Sequence, residues 1–118
     1  VLAIEPITAA CVTTSLAAGR PVSVDTSEPT IMAGLNCGSV SSIAWPAIRD
    51  GLDAGVAITD DQASAAMHHL KELGVAAGPC GGAALAGVRT ALGDSDRRAA
   101  LAINENSALV LISTDGAV

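Results

Sequence analysis

Phenylalanine and tyrosine are absent from the chain, and Trp45 is its single aromatic residue. A core without large rings has to be assembled from many small and branched side chains fitted closely together. Hydrophobic residues make up 50% of the sequence, chiefly Ala, Val, Leu and Ile, a composition that favours helices packed tightly on a sheet. Long hydrophobic runs are missing as well. The apolar run Ala108 to Ile112 is far below the roughly 20 residues that cross a bilayer, so no membrane span is expected. Positive charge is scarce: six basic against twelve acidic residues give a formal charge of -6. That balance opposes nucleic acid phosphates and anionic membrane surfaces. The three cysteines, Cys11, Cys37 and Cys80, are odd in number and lack any CxxC or Cys/His spacing. They read as free thiols in a reducing compartment, which predicts a cytoplasmic location and no zinc site.

What remains is a strand and helix pattern. A length of 118 residues suits one modest domain over 1–118. Val1 to Ile4 reads as a buried strand, ended by Glu5 and Pro6, and a helix follows to Ala18 with a stripe of Ala9, Ala10, Thr13, Leu16 and Ala17. Gly19 sits where a left-handed cap is needed. Pro21 to Val24 is predicted as a short edge strand and Ile31 to Leu35 as a helical turn. Pro46 can open a helix with Ala47, Ile48 and Leu52 on its apolar face, and Val56 to Ile58 is a candidate strand. Asp60 is a candidate N-cap for a helix whose stripe is Ala63, Ala66, Met67, Leu70 and Leu73, stopped by Gly74. A small-residue helix is expected from about Ala83 to Leu92, then a short polar helix capped by Ser95. Ala108 to Ile112 is predicted as a strand buried on both faces of a parallel sheet. Alternating strands and helices give the α/β class.

Few residues offer chemistry. Gly78-Pro79-Cys80-Gly81-Gly82 opens a helix whose N–H groups favour an anionic or polar ligand, although a tight turn against a neighbouring helix accounts for the same glycines. Cys80 is at a position that lowers a thiol pKa, yet no basic neighbour is visible and an inert thiol is the simpler reading. Ser113 and Thr114 follow the last apolar run, where parallel sheets bind ligands; an ordinary capped strand end explains them equally. His68 and His69 are adjacent and face different directions, so a surface role is simpler than metal ligation. Lys71, the only lysine, reads as a solvated side chain.

Taken together, Ile4-Glu5-Pro6, Thr30-Ile31-Met32-Ala33-Gly34-Leu35-Asn36-Cys37-Gly38, Trp45-Pro46-Ala47-Ile48-Arg49-Asp50, Gly78-Pro79-Cys80-Gly81 and Leu111-Ile112-Ser113-Thr114-Asp115-Gly116 resemble the C-terminal half of fold-type II pyridoxal-phosphate enzymes, the tryptophan synthase beta-like superfamily. The wording of the second and last stretches is most like that of diaminopropionate ammonia-lyases. The resemblance implies a three-layer α/β fold with a mostly parallel sheet flanked by helices. It implies pyridoxal 5'-phosphate as cofactor, a small amino acid as substrate and a homodimer. Ser113 or Thr114, with Ser113 preferred, would meet the pyridine nitrogen, while Ala33, Gly34, Cys80 and Gly81 would line the ring. Some relatives bind a divalent cation with the glutamate matching Glu5 and an aspartate six residues later, where this chain has Cys11, a poor ligand for a hard cation. The family's Schiff-base lysine and glycine-rich phosphate loop lie before the strand at Val1, and Lys71 does not match that lysine. The chain is therefore expected to be a fragment that is inactive alone, without catalytic residues of its own.

The activity expected of the whole enzyme is elimination from 2,3-diaminopropionate to pyruvate and ammonia. A threonine or serine dehydratase, or a threonine synthase-like enzyme, is the nearest alternative. A non-catalytic α/β module that binds a ligand or partner is the alternative of another class.

Overall fold

The computed structural model describes residues 1–117. Two short strands, β1 (Leu2–Pro6) and β2 (Ala54–Ile58), pair in parallel with Leu2 opposite Ala54 and Pro6 opposite Ile58. Parallel pairing requires a long crossover, here residues 7–53, which carries a 3-10 turn (Ile7–Ala9), helix α1 (Cys11–Ala18), a second 3-10 turn (Ala33–Leu35) and helix α2 (Trp45–Gly51). Helices α3 (Asp60–Glu72), α4 (Pro79–Leu92) and α5 (Ser95–Ala100) follow β2.

The pleat sorts the helices into layers, because successive side chains leave a strand on opposite faces. Glu5 and Gly55 face α1: the Glu5 carboxylate bonds its first turn, and a Cβ on Gly55 would lie 2.3 Å from Thr13 Oγ1. On the other face Ile4 meets α4 at Gly87, and Val56 and Ile58 join Met32, Ala63, Ala66, Ala83 and Ala86 in the core. The result is an α/β fold with a parallel sheet flanked by helices on both faces. The close fit expected of an aromatic-poor core is visible between α3 and α4, where a Cβ on Gly82 would come within 2.7 Å of the Ala63 carbonyl oxygen.

Helix α4 starts at Pro79, four residues before the expected Ala83, and α1 starts only at Cys11, after the 3-10 turn Ile7–Ala9; other helix ends depart from expectation by a residue or two. Thr59, not Asp60, caps α3: Thr59 Oγ1 accepts from Gln62 N at 3.2 Å and Gln62 Oε1 accepts from Thr59 N at 2.8 Å, a reciprocal capping box. Leu73 falls just past the last residue of α3 and is 66% exposed, so the buried stripe closes at Leu70. Asp94, not Ser95, caps α5, its carboxylate accepting from the amides of Asp96 and Arg97. In α1 the buried residues are Cys11 and Ser15, while Ala17 is exposed. The Ser15 hydroxyl faces inward because it receives the amide of Val22 at 2.8 Å.

Two expected strands are absent. Residues 21–24 form no ladder: Pro21 has no N–H to give, Val22 N goes to the Ser15 hydroxyl, and Val24 N goes to the Gly38 carbonyl. Residues 108–112 run without strand structure and with Val110 87% and Ile112 76% exposed. Apolar composition predicts burial, but a strand exists only where a neighbour completes its backbone bonds. The only strand that β1 pairs with among the described residues is β2, and residues 108–112 face β1 across an open cleft.

Candidate functional site

The site is organised by the N-terminus of α4. Pro79 suits a first turn that needs no N–H there, and the next amides, Cys80 N and Gly81 N, donate to the Asp115 carboxylate at 2.9 and 2.7 Å. Asp115 is 35 residues from Cys80, so the cap is tertiary. It also corrects one expectation: these amides are engaged by the chain's own carboxylate and do not point at an anionic ligand.

That cap brings the segment 113–116 onto the helix. A Cβ on Gly81 would lie 2.2 Å from Ser113 Oγ and 2.6 Å from Asp115 Oδ1, so the close approach requires glycine. On the same turn, a Cβ on Gly34 would touch Cys80 Sγ at 3.3 Å. Cys80 and Thr114 both line a cleft of about 930 Å³, together with Leu35, Ile4 and Ala83. Ser113, Thr114, Ala33 and Gly34 are exposed, and Cys80 is half-buried. Thus Gly34, Cys80, Gly81, Ser113 and Thr114, singled out in three separate segments of the sequence, meet at one end of one helix, with Ala33 beside Gly34.

The arrangement fits one end of the cofactor that the resemblance implies. Hydroxyls at Ser113 and Thr114 are neutral donors or acceptors for a ring nitrogen, and the glycines at 34 and 81 let Cys80 and Ser113 pack close against the backbone at that end. It does not supply the phosphate end, since the amides of α4 are taken by Asp115. Lys71 is exposed on α3 and is not among the residues lining the cleft. His68 and His69 are exposed on the same helix; His68 Nδ1 donates to the Ser64 carbonyl at 2.8 Å, and His69 Nδ1 accepts from the Arg89 guanidinium.

Glu5 and Cys11 do not fit a divalent cation. The buried Glu5 carboxylate accepts from Val12 N and Thr13 N, each at 2.8 Å, and from Thr13 Oγ1 at 2.7 Å, with Cys11 Sγ at 3.8 Å. These donors fill the carboxylate and cap α1. Burial, and after it the charge of Glu5, raise the Cys11 thiol above its ordinary value, so its sulfur stays protonated at neutral pH. Among the described residues no group of three or more His, Cys, Asp or Glu converges as a metal site, and no helix is long and apolar enough to cross a membrane.

The capping carboxylates Glu5 and Asp115 were not legible as such from sequence. An acid shortly before a helix is a faint signal for Glu5, and none exists for Asp115.

Known proteins resemble this chain in sequence and fold. The family model described as pyridoxal-phosphate dependent enzyme matches residues 1–115. A solved serine racemase of maize is similar with a TM-score of 0.72 and 31% identity, over 82% of this chain and 31% of that one. A threonine deaminase of T.th. shares the fold with a TM-score of 0.72 and 24% identity, over 78% of this chain and 33% of that one. A serine racemase from Dictyostelium discoideum gives 0.65 and 27%, over 74% and 27%. The chain spans about a third of the length of these structures. No curated protein gives a match.

Proposed function

The chain belongs to the pyridoxal-phosphate-dependent enzyme family, and from that premise we propose that it forms the ring-facing, C-terminal part of the cofactor domain of an enzyme that eliminates ammonia from 2,3-diaminopropionate. The observation that carries this reading is the convergence of Gly34, Cys80, Gly81, Ser113 and Thr114 at the start of α4. A module that bound some other ligand would have no physical reason to keep these segments together in the family's order along the chain.

Pyridoxal phosphate, when bound, supplies a sink that withdraws electrons from the α-carbon of an amino acid. Ser113 would hold the ring nitrogen with a neutral hydroxyl, which leaves that nitrogen largely unprotonated and the sink moderate. Elimination tolerates this because the departing β-substituent takes its bonding electrons with it. Gly34 and Gly81 would let Cys80 and Ser113 sit close to the turn beside the ring, and Leu35, Ile4 and Ala83 would keep water from that end of the cleft. The lysine and the phosphate cradle belong to the parts of the enzyme that this third of its length does not contain, and the open edge of β1 facing residues 108–112 is where further strands would complete the sheet. A homodimer in the cytoplasm is part of the same reading.

A hydroxy amino acid as substrate is the second reading, favoured by the 31% identity to a serine racemase. Product stoichiometry separates the two. The proposed reaction consumes 2,3-diaminopropionate and water and gives one pyruvate with two ammonia. Serine or threonine elimination gives one ammonia per keto acid, and racemisation gives none. Two ammonia per pyruvate from diaminopropionate, with serine and threonine turned over at least tenfold more slowly, is the expected result; no ammonia from diaminopropionate would overturn the substrate assignment.

A further inference from the structure

We infer that Asp60 and Thr30 form a latch that positions the ring-facing turn Ala33–Leu35 for the cofactor, a role that rests on the proposed site. Asp60 is released from capping α3, because Thr59 and Gln62 already satisfy that end. Its carboxylate instead reaches back across 30 residues: Thr30 Oγ1 donates to Asp60 Oδ1 at 2.5 Å and Ile31 N donates to Asp60 Oδ2 at 3.0 Å. The Thr30 hydroxyl in turn accepts from Met32 N at 3.1 Å. Met32 is fully buried in the core, and its carbonyl accepts from Leu35 N at 2.9 Å, closing the turn that sets Gly34 against Cys80.

The far end of the loop is held separately, by Val24 N donating to the Gly38 carbonyl at 2.8 Å. The latch is therefore the attachment on the side where the chain enters the turn. A carboxylate serves better than a neutral acceptor here, since it takes one donor on each oxygen and lies at the positive end of α3. Asp60 is not among the residues lining the cleft, so it is a positioning residue and acts through Gly34 and Leu35.

The test compares Asp60→Ala with Asp61→Ala in the holoenzyme. Both lose one acidic charge from the first turn of α3, but Asp61 makes no hydrogen bond to the loop and its variant reports the charge effect alone. Asp60→Ala removes two charge-assisted hydrogen bonds, from Thr30 Oγ1 and Ile31 N, and is expected to speed amide exchange at Ile31 and Met32 at least about tenfold over Asp61→Ala. Pyridoxal 5'-phosphate affinity, read by titrating the apoenzyme, is expected to fall by a similar factor. Thr30→Val should reproduce both changes and Thr30→Ser should restore both. Equal exchange in the two Asp variants would overturn the latch, and faster exchange with unchanged cofactor affinity would overturn its positioning role. A wild-type apoenzyme that binds no pyridoxal 5'-phosphate would instead overturn the site on which that role rests, and the role with it.

Discussion

Gly81→Ala should destabilise the protein by about 1–3 kcal/mol, the usual cost of forcing a methyl group into a packed site, and should weaken cofactor binding by more than tenfold. The sign is the informative part. Replacing glycine by alanine inside a helix ordinarily stabilises by about 0.5–1 kcal/mol. Here the new Cβ would sit 2.2 Å from Ser113 Oγ, 2.6 Å from Asp115 Oδ1 and 3.0 Å from the Ala77 Cβ, so the segment 113–116 must leave the helix. That displaces Ser113 from α4 and Thr114 from the cleft it lines, together with the cap. Gly51→Ala is the control, because nothing lies within 4 Å of a Cβ added there, at the end of α2. Chemical denaturation and cofactor titration of both variants check the expectation; a Gly81→Ala protein as stable as Gly51→Ala would contradict it.

Asp115→Ala is expected to cost about 2 kcal/mol, at the upper end for loss of a helix cap. Two amides, Cys80 N and Gly81 N, lose their acceptor at once. Asp115→Asn keeps one oxygen to accept and should lose less than half as much. Both variants should bind pyridoxal 5'-phosphate more weakly, because Asp115 is what ties Ser113 and Thr114 to α4. The two effects share one cause, so the double variant Gly81→Ala with Asp115→Ala should cost little more than Gly81→Ala alone, as expected for sites in contact. Additive losses in denaturation would show instead that the cap and the close approach act independently.

The regular elements were legible because they depend on neighbours in sequence. Ala63, Ala66 and Leu70 recur at helical spacing and are buried, and the stops at Gly19 and Gly74 adopt positive φ of 70° and 81°. The parallel strands at 2–6 and 54–58 were legible in part, from short apolar runs beside proline and glycine. What escaped depends on partners far along the chain. Asp60 reads as an N-cap from local pattern alone, yet its carboxylate answers to Thr30 and Ile31. Asp115 carries no local signal and is a cap for a helix that begins far earlier in the chain, at Pro79. Residues 108–112 were misread for a related reason: apolar content speaks to burial, while strand structure is decided by a neighbour's backbone.

The candidate site divides the same way. Motif resemblance nominated Gly34, Cys80, Gly81, Ser113 and Thr114 but had no means of saying that Gly34 touches Cys80 or that Gly81 touches Ser113. The fold supplies that. Gly81 is needed for its approach before any ligand is considered, whereas a methyl at 34 would only crowd Cys80 Sγ.

The most direct test of the account is a pyridoxal 5'-phosphate titration of the apoenzyme, wild type against Ser113→Ala, followed by the absorbance of the bound cofactor. The account predicts saturable binding by the wild type, with affinity about tenfold weaker in Ser113→Ala for the loss of one hydrogen bond and an altered spectrum. Identical affinity and spectrum in the two proteins would contradict the claim that this chain carries the ring-facing wall of the site.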